Sequence, residues 1–291
     1  MEFKECKKSI DFLNFFENDE LFKHHTNYYH YTSLENIDNI LKGKCIYLTP
    51  NNGEKNDIAE GKNKSMLSYF ACFSTGTSES LPLWYLYSGI DGKGGRIGLK
   101  RKSFRKLMNN PTMYLAKVEK GARPYKILEK SMLQKNDYDF VGRDILYMGK
   151  DTSNPELYRA KYNGNVVNKI SEQTYREIKN EYLSFVKSLI WFYEKETRIQ
   201  VNIKNQALVD ENEEYVVMLD ISNVINELSV RLAPEFEDLT LDNISNYDGI
   251  KKWILSKIEK SDFAGEIKMN LANRLCNTCE HKKQSKTNRE K

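Results

Sequence analysis

The stretch Asn27–Thr49 reads NYYHYTSLENIDNILKGKCIYLT and carries a complete succession of secondary structure. Its aromatic opening predicts a strand. Thr32 stands three residues before Glu35, which is the spacing of a capping box, and apolar residues then recur at helical intervals as far as the expected stop at Gly43. Cys45–Thr49 predicts a second strand. We therefore expect a strand, a capped helix and a second strand.

The rest of the chain extends this pattern with more strands than helices. Strands are predicted at 65–74, 96–99, 112–120, 194–203, 215–219, 230–232 and 266–269. Helices are predicted near 11–23, 81–87, 103–108 (capped by Ser103), 171–189 (opened by Ser171) and 250–258. Because strands and helices do not alternate regularly, the chain is predicted to be α+β rather than a doubly wound sheet.

Length and composition bound the organisation of the protein. A chain of 291 residues with 40% apolar and 30% charged residues can bury a sizeable core. We expect a single domain over residues 1–275, and residues 136–167 are interpreted as an insertion lying over a site. Residues 276–291 are expected to form a flexible basic tail.

The net charge of +4 lies in that tail. Five of the 45 basic residues but one of the 41 acidic residues fall within Lys282–Lys291, so the rest of the chain is neutral. The opening sequence lacks the apolar stretch of a signal peptide, and no segment has the run of about 20 apolar residues that a membrane helix needs. Five cysteines at scattered positions are expected to be reduced thiols. We therefore expect a cytoplasmic protein without a membrane partner.

The first candidate for chemistry is the segment Tyr29-His30-Tyr31-Thr32-Ser33. It lies at the end of a predicted strand and before a helix N-terminus, where free backbone N–H groups and the helix dipole favour phosphate and other anions. The alternative is a partly buried histidine whose ring hydrogen-bonds a backbone carbonyl.

The second candidate is the motif Trp191-x-x-Glu194-x-Glu196-x-Arg198. On a strand, this spacing places both carboxylates and the guanidinium on one face. Neighbouring carboxylates raise one another's pKa, whereas an adjacent arginine lowers it. The alternative is a solvated face with an ion pair, which is worth about 0 to 1 kcal/mol.

Two further motifs are judged less informative. The glycine-rich segment Gly89–Gly95 has neither the ending of a P-loop nor the order of a dinucleotide fingerprint, so it is interpreted as a turn. Cys276, Cys279 and His281 amount to part of a zinc site, but no partner pair lies nearby in the sequence. We favour exposed thiols there and predict no metal.

The order of these motifs carries a resemblance. The successive segments YHYTSLENIDNILKGKCIYLT, FACFS, LWYLYSGIDGKGGRIGL and KSLIWFYEKETRI resemble a bacterial family of unknown function over residues 28–270. The opening strand with its histidine, the capped helix and the following strand also resemble the ADP-ribosyltransferase superfamily more distantly. The resemblance implies a split, mixed and antiparallel sheet with flanking helices.

The superfamily resemblance also implies roles for individual residues. Glu196, and less strongly Glu194, matches the carboxylate that holds a ribose hydroxyl of NAD and steadies the oxocarbenium-like transition state. His30 matches a residue on the ribose, and Ser74 matches a serine on a middle strand. The residues assigned to NAD binding are His30, Tyr31, Thr32, Tyr47, Ser74, Trp84 and Tyr85, with Tyr47 and Tyr85 competing to stack on nicotinamide. Tyr31 departs from the usual glycine after the histidine.

These assignments lead to an expected function. The protein is expected to be an NAD-dependent ADP-ribosyltransferase, acting as an intracellular bacterial toxin or phage-defence effector. NAD would be its substrate, and the acceptor would be RNA or DNA in slight preference to protein, because the basic tail suits phosphates. An antitoxin-like protein is a further expected partner. The alternatives are an NAD glycohydrolase, a non-catalytic module that binds nucleic acid or a protein partner, and a zinc-tailed scaffold.

Overall fold

The structure is a computed structural model, and it describes residues 2–19, 22–51, 65–76, 80–87, 94–122, 125–232 and 266–268. Its helices are α1 Ser9–Asn18, α2 Leu34–Gly43, α3 Leu81–Tyr87, α4 Arg101–Asn109 and α5 Glu172–Glu181. Short 3-10 helices cover Phe3–Glu5, Leu183–Phe185, Leu189–Glu194, Gln206–Leu208 and Ser222–Glu227.

The strands are more numerous than the helices. They are β1 Asn27–Ser33, β2 Cys45–Asn51, β3 Ser65–Ser74, β4 Gly94–Lys100, β5 Met113–Val118, β6 Ile127–Met132, β7 Tyr138–Asp144, β8 Leu146–Lys150, β9 Tyr158–Tyr162, β10 Asn165–Ile170, β11 Val186–Ser188, β12 Glu196–Ile203, β13 Glu214–Asp220, β14 Ser229–Leu232 and β15 Glu266–Lys268. Most of the strand pairs are antiparallel. The prediction of an α+β protein is thereby confirmed.

The chain divides into two compact units. The first unit comprises residues 1–28, 45–80 and 100–221, and the second comprises residues 29–44, 81–99 and 222–291. The single domain expected over residues 1–275, with its insertion at 136–167, stays a prediction. The predicted helix at 250–258 and the tail lie outside the described residues.

The first unit contains two sheets. In the larger one the strand order is β3-β2-β13-β5-β6, and β12 pairs with both β3 and β7. The smaller sheet has the order β10-β9-β8-β11. Aromatic residues of the N-terminal segment, Phe3, Phe12 and Phe16, pack with Leu146 and Tyr162 in the core next to the smaller sheet. This packing attaches the start of the chain to the smaller sheet.

The second unit contains β1, α2 and α3, with strands in the order β15-β14-β4-β1. Its helix α2 is amphipathic as expected, and Ile37, Ile40 and Leu41 are buried. The prediction that Thr32 caps this helix is wrong. Ser33 is the N-cap and its hydroxyl accepts from the backbone N–H of Asn36, because β1 continues one residue further and keeps Thr32 in the strand.

Two other predicted helices have different bounds. Ser103 does not cap α4, which begins at Arg101, and Ser103 is a buried residue of its first turn. The helix opened by Ser171 ends at Glu181 rather than near Leu189. Val186–Ser188 instead pairs in parallel with β8, because strand pairing satisfies its backbone groups against the smaller sheet.

The largest difference from the sequence pattern concerns β12. Its alternating sequence predicted one solvated face, but seven of its eight residues are buried, the exception being the partly buried Asn202. β12 lies between β3 and β7, so both of its edges are hydrogen-bonded, and the burial of its alternating residues shows that both faces are covered. The interpretation of Glu196 and Arg198 as part of a solvated face is therefore wrong.

Candidate functional site

The residues singled out from the sequence fall into both units. Glu194, Glu196, Ser74 and Tyr47 belong to the first unit, and His30, Tyr31, Thr32, Trp84 and Tyr85 belong to the second.

The acidic motif of the first unit forms a turn and not one continuous strand. Glu194 ends a 3-10 helix, Glu196 begins β12, and Lys195 between them has a φ of 45°, in the left-handed region. The carbonyl oxygen of Lys195 accepts from the N–H of Thr75 at 2.9 Å and from its hydroxyl at 2.8 Å. The placement of Glu194 on the same strand face as Glu196 is therefore wrong, because β12 starts only after this anchored turn.

The two carboxylates nevertheless meet at one cation. Lys187 on β11 places its Nζ 2.5 Å from Oε2 of Glu194 and 3.2 Å from Oε2 of Glu196. Arg198 approaches the other oxygen of Glu196, with Nε at 2.8 Å and Nη2 at 2.7 Å from Oε1. Two acids and two bases thus form one network, which we call the buried ion network (Lys187, Glu194, Glu196 and Arg198).

All four members of the buried ion network are shielded from water, since no member exposes more than 6% of its surface. Burial by itself raises the pKa of Glu196, but the positive charges of Arg198 and Lys187 outweigh it and lower that pKa to about 2. Glu196 is therefore an anion at neutral pH. A carboxylate with so low a pKa is a poor general base and can act as a fixed negative charge.

The position of Arg198 is itself constrained on several sides. Its Nη1 donates to the carbonyl oxygen of Ser184 at 2.5 Å, and its guanidinium lies 4.8 Å from the centre of the Phe70 ring. The side chain is 1% exposed. Arg198 therefore cannot leave Glu196 without breaking contacts to two other elements.

Neighbouring groups hold the backbone and the carboxylate of Glu196. Its N–H donates to the Tyr147 hydroxyl at 2.7 Å, and its carbonyl oxygen accepts from the N–H of Ile145 at 2.9 Å. The Cys72 thiol forms a hydrogen bond with the Glu196 carboxylate, and burial raises the pKa of Cys72, so this sulfur is a protonated donor. The carboxylate therefore has a defined position as well as a defined charge.

Ser74 lies directly opposite Glu196. The antiparallel register of β3 and β12 pairs the two residues, and Ser74 is buried at the end of β3. The structure thus brings together two residues that the sequence analysis assigned to one site from segments more than one hundred positions apart. Tyr47 on β2 packs elsewhere, beside Tyr125 in the core around Cys45 and Met218, where burial raises its pKa to about 12.

A second polar cluster lies at the next residue of β12. The hydroxyl of Thr197 donates a hydrogen bond to the Asp144 carboxylate, which also accepts one from Nδ2 of Asn163 at 2.8 Å. Nε2 of His25 lies 2.8 Å from the same carboxylate. Asp144 is buried, so these contacts replace the water that a carboxylate otherwise requires. No local sequence pattern indicates this cluster, because its members come from four separate segments.

In the second unit, two assigned aromatic residues surround a buried arginine. Nη1 of Arg96 donates to the Tyr31 hydroxyl at 2.9 Å, and the guanidinium lies 4.1 Å from the centre of the Tyr29 ring and 5.8 Å from that of Trp84. Trp84 meets the Tyr31 ring edge-on at 4.8 Å. The indole N–H of Trp84 is buried and has no hydrogen-bond partner among the described residues.

The remaining assigned residues of this unit lie on β1 and α3. His30 is partly buried on β1, and the hydroxyl of Thr32 accepts from Nδ2 of Asn36 at 2.9 Å. Tyr85 belongs to α3, and its side chain lies outside the described part of the structure. Cys276, Cys279 and His281 lie outside the described residues. Within the described ranges, no group of three or more His, Cys, Asp or Glu residues could hold a metal ion.

Several functional candidates were absent from the sequence assignments. Lys187 lies inside the segment KSLIWFYEKETRI, Cys72 lies inside FACFS, and Arg96 follows the glycine-rich segment. Their position within these motifs was the sequence signal that could have identified them. Tyr147 had no signal, because it reaches Glu196 only through strand packing.

Comparisons with known proteins leave the family open. No protein-family model, curated protein or solved structure matches the chain. None of the described helices is long and apolar enough to cross a membrane.

Proposed function

We propose that the protein is an NAD-dependent ADP-ribosyltransferase with the fold of that superfamily and with Glu196 as its catalytic carboxylate. The observation that carries the proposal is the pairing of Glu196 with Ser74 across β3 and β12, directly after the Glu-Lys-Glu turn. A serine on a middle strand and a Glu-x-Glu segment are two of the features that the superfamily resemblance implies for the site.

The charge state of Glu196 supports this role. Nicotinamide leaves NAD as a neutral ring, so cleavage needs little acid catalysis and requires a negative charge beside the positive sugar. Glu196 is ionised at neutral pH and is held by Arg198, Lys187 and Cys72. An ionised carboxylate already in position requires no reorganisation when positive charge develops. Glu194, which shares Lys187, is the second choice for this role.

The other parts of the proposal rest on the resemblance. NAD is the substrate, and His30, Tyr31, Thr32, Trp84 and Tyr85 of the second unit, with Tyr47 and Ser74 of the first, are assigned to its binding. The acceptor is a macromolecule, with nucleic acid favoured over protein. The protein would act as an intracellular bacterial toxin or phage-defence effector restrained by an antitoxin-like partner.

The strongest alternative is a non-catalytic module that binds nucleic acid or a protein partner. The observation in its favour is that both carboxylates of the buried ion network are already paired with cations and are shielded from water. Such a network can serve to specify the packing of β11 against β12. An NAD glycohydrolase, in which water is the acceptor, is the second alternative.

Two matched substitutions separate these functions. Glu194→Gln and Glu196→Gln each remove one carboxylate of the same buried network, so they perturb folding in similar ways. NAD labelled in the ADP-ribose part is incubated with RNA, DNA and protein fractions, and free nicotinamide is measured in parallel. We expect label transfer by the wild type, and a much larger loss with Glu196→Gln than with Glu194→Gln at equal folded fraction.

Each outcome has a distinct meaning. Label transfer that is unaffected by Glu196→Gln would remove the catalytic assignment. Release of nicotinamide without transfer to any fraction would identify an NAD glycohydrolase. Neither transfer nor release by the folded wild type would favour the binding module.

A further inference from the structure

The first unit carries a dense strip of positive charge on α4. Residues 100–110 read KRKSFRKLMNN, with five basic residues and no acidic one. All five bases are exposed, whereas Ser103, Phe104 and Leu107 are buried. We call these exposed bases the basic face of α4; they are Lys100, which ends β4 just before the helix, and Arg101, Lys102, Arg105 and Lys106 on the helix itself.

A neighbouring segment lies along this face and extends its charge. The N–H of Arg101 donates to the carbonyl oxygen of Thr26 at 2.8 Å, and its Nε donates to that of His25 at 2.5 Å. The Phe22 ring lies 6.0 Å from the guanidinium of Arg105. Lys23, which lies between these contacts in the sequence, is exposed as well.

The spacing of the bases on α4 is regular. Arg101 and Arg105 form one i, i+4 pair and Lys102 and Lys106 form another, so neighbouring bases in each row lie about 6 Å apart along the axis. Like charges at this spacing destabilise a helix by a few tenths of a kcal/mol for each pair. Among the described residues, no acidic side chain forms an ion pair with Lys100, Lys102 or Arg105. A polyanion lying along the helix would relieve the repulsion.

We propose that the basic face of α4 binds the phosphate backbone of a nucleic acid. Each of the two arginine side chains can bind a phosphate through two N–H groups, and the neighbouring lysines add further positive charges along the same helix face. The apolar side of α4 is already used, since Phe104 is 0% and Leu107 is 1% exposed, so the helix has no apolar face to insert into a lipid surface. The binding is independent of base sequence, and the proposal stands whether or not the protein cleaves NAD.

The test compares two triple variants of the full-length chain. The first, Lys102→Gln/Arg105→Gln/Lys106→Gln, neutralises three bases of the face and leaves Arg101, which contacts the Phe22–Thr26 segment, in place. Binding to fluorescently labelled RNA strands and DNA duplexes of mixed sequence is measured by anisotropy over a series of salt concentrations.

The control variant has the same net charge. Lys120→Gln/Lys135→Gln/Lys150→Gln removes three exposed lysines elsewhere in the first unit. Because all six substituted side chains are exposed, both variants should melt within a few degrees of the wild type.

The expected effect follows from counterion release. The logarithm of the binding constant falls linearly with the logarithm of the salt concentration, and each phosphate contact contributes about 0.7 to 0.9 to the magnitude of that slope. The slope of the face variant should therefore be smaller in magnitude by about 2 to 3. At about 0.1 M salt this corresponds to roughly 100-fold weaker binding. The control variant should keep nearly all of the slope.

Four results would overturn the proposal. The first is a wild type that binds neither probe at low salt, and the second is an equal loss in both triple variants, which would assign binding to net charge. The third is binding that disappears on removal of Lys282–Lys291 and is insensitive to the face variant. The fourth is binding to phosphatidylserine vesicles without binding to either nucleic acid, which would assign the face to a membrane.

Discussion

The substitution Glu196→Gln tests how strongly the buried ion network stabilises the first unit. Glutamine has nearly the same volume and keeps one acceptor oxygen, so the change removes the negative charge and little else. Lys187 would keep the carboxylate of Glu194, whereas Arg198 would lose that of Glu196, inside a region where no member of the network is more than 6% exposed. An uncompensated buried charge is strongly destabilising.

The pKa of Glu196 provides the magnitude. The folded protein holds that pKa at about 2, against an ordinary value of 4.5. A carboxyl group whose folded pKa is lowered contributes stability that is fully present above its unfolded pKa and lost as the pH falls through its folded pKa. At neutral pH the difference amounts to about 3 kcal/mol, which agrees with the range of about 3 to 5 kcal/mol for breaking a buried pair.

The assay is urea unfolding as a function of pH, followed by the fluorescence of Trp191. This residue lies next to the network, since the Lys187 ammonium is 5.1 Å from its ring centre. Replacing Trp84 and Trp253 by phenylalanine in every variant makes Trp191 the sole tryptophan. We expect Glu196→Gln to lower the free energy of unfolding by about 3 kcal/mol at pH 7. The difference in the free energy of unfolding between the wild type and this variant should narrow as the pH falls from 4.5 towards 2.

A matched control separates burial from charge. Glu119→Gln removes a carboxylate that pairs with Lys126 at 2.7 Å on the surface, and this change should lower the free energy of unfolding by less than about 1 kcal/mol. The reasoning would be refuted if Glu196→Gln had as small an effect as the control at pH 7. It would also be refuted if the gap to wild type stayed constant between pH 4.5 and 2.

Three other predictions address the network, the tail and a helix cap. Lys187→Met should lower the free energy of unfolding by about 3 to 5 kcal/mol, because it leaves two buried carboxylates together, and the double variant with Glu194→Gln should recover part of this loss in urea titrations. Deleting Lys282–Lys291 should weaken nucleic-acid binding at low salt and leave NAD cleavage intact. Loss of both activities in parallel assays would contradict the expectation that the tail contributes to nucleic-acid binding alone. Ser33→Ala should reduce the hydrogen-exchange protection of α2 by about 1 kcal/mol, because it removes the N-cap, and unchanged protection would contradict the assigned cap.

Local signals predicted much of the secondary structure. The strand at Ser65–Ser74 and the helix at Leu81–Tyr87 have the bounds that their apolar runs and punctuation indicate. The cap of α2 was misplaced by one residue, because Thr32 and Ser33 are equally good capping residues and the length of β1 decides between them. Such a choice depends on strand pairing, which a local pattern does not contain.

The helix predicted from Ser171 shows how tertiary packing overrides periodicity. Tyr182, Phe185 and Leu189 continue the helical spacing of α5, yet the helix ends at Glu181. Phe185 packs beside Ile145 and Tyr147, and the chain then pairs with β8. Burial and strand pairing together outweigh the propensity of a few helical residues, which is worth only tenths of a kcal/mol each.

The candidate site was predicted in part. The motif that contains Glu194, Glu196 and Arg198 does supply three members of the buried ion network. Its fourth member, Lys187, belongs to the same quoted segment but had no assigned role. Seven and nine positions separate it from the two acids, which is about 10 Å or more along either a helix or a strand. The left-handed turn at Lys195 brings the two acids to this one cation.

Composition and local pattern together determined the α+β fold class, the order of most of the principal elements and the residue types available for chemistry, because these depend on neighbours along the chain. Tertiary structure alone decided which charges are buried. β12 has the sequence of a half-exposed strand, but Lys187 of β11 and the carbonyl oxygen of Ser184 lie against its polar side chains. Glu196 and Arg198 therefore lose their water and pair with each other, and Glu196 also pairs with Lys187. The physical reason is that the energy of a charge depends on what surrounds it in space, and those surroundings come from distant parts of the chain.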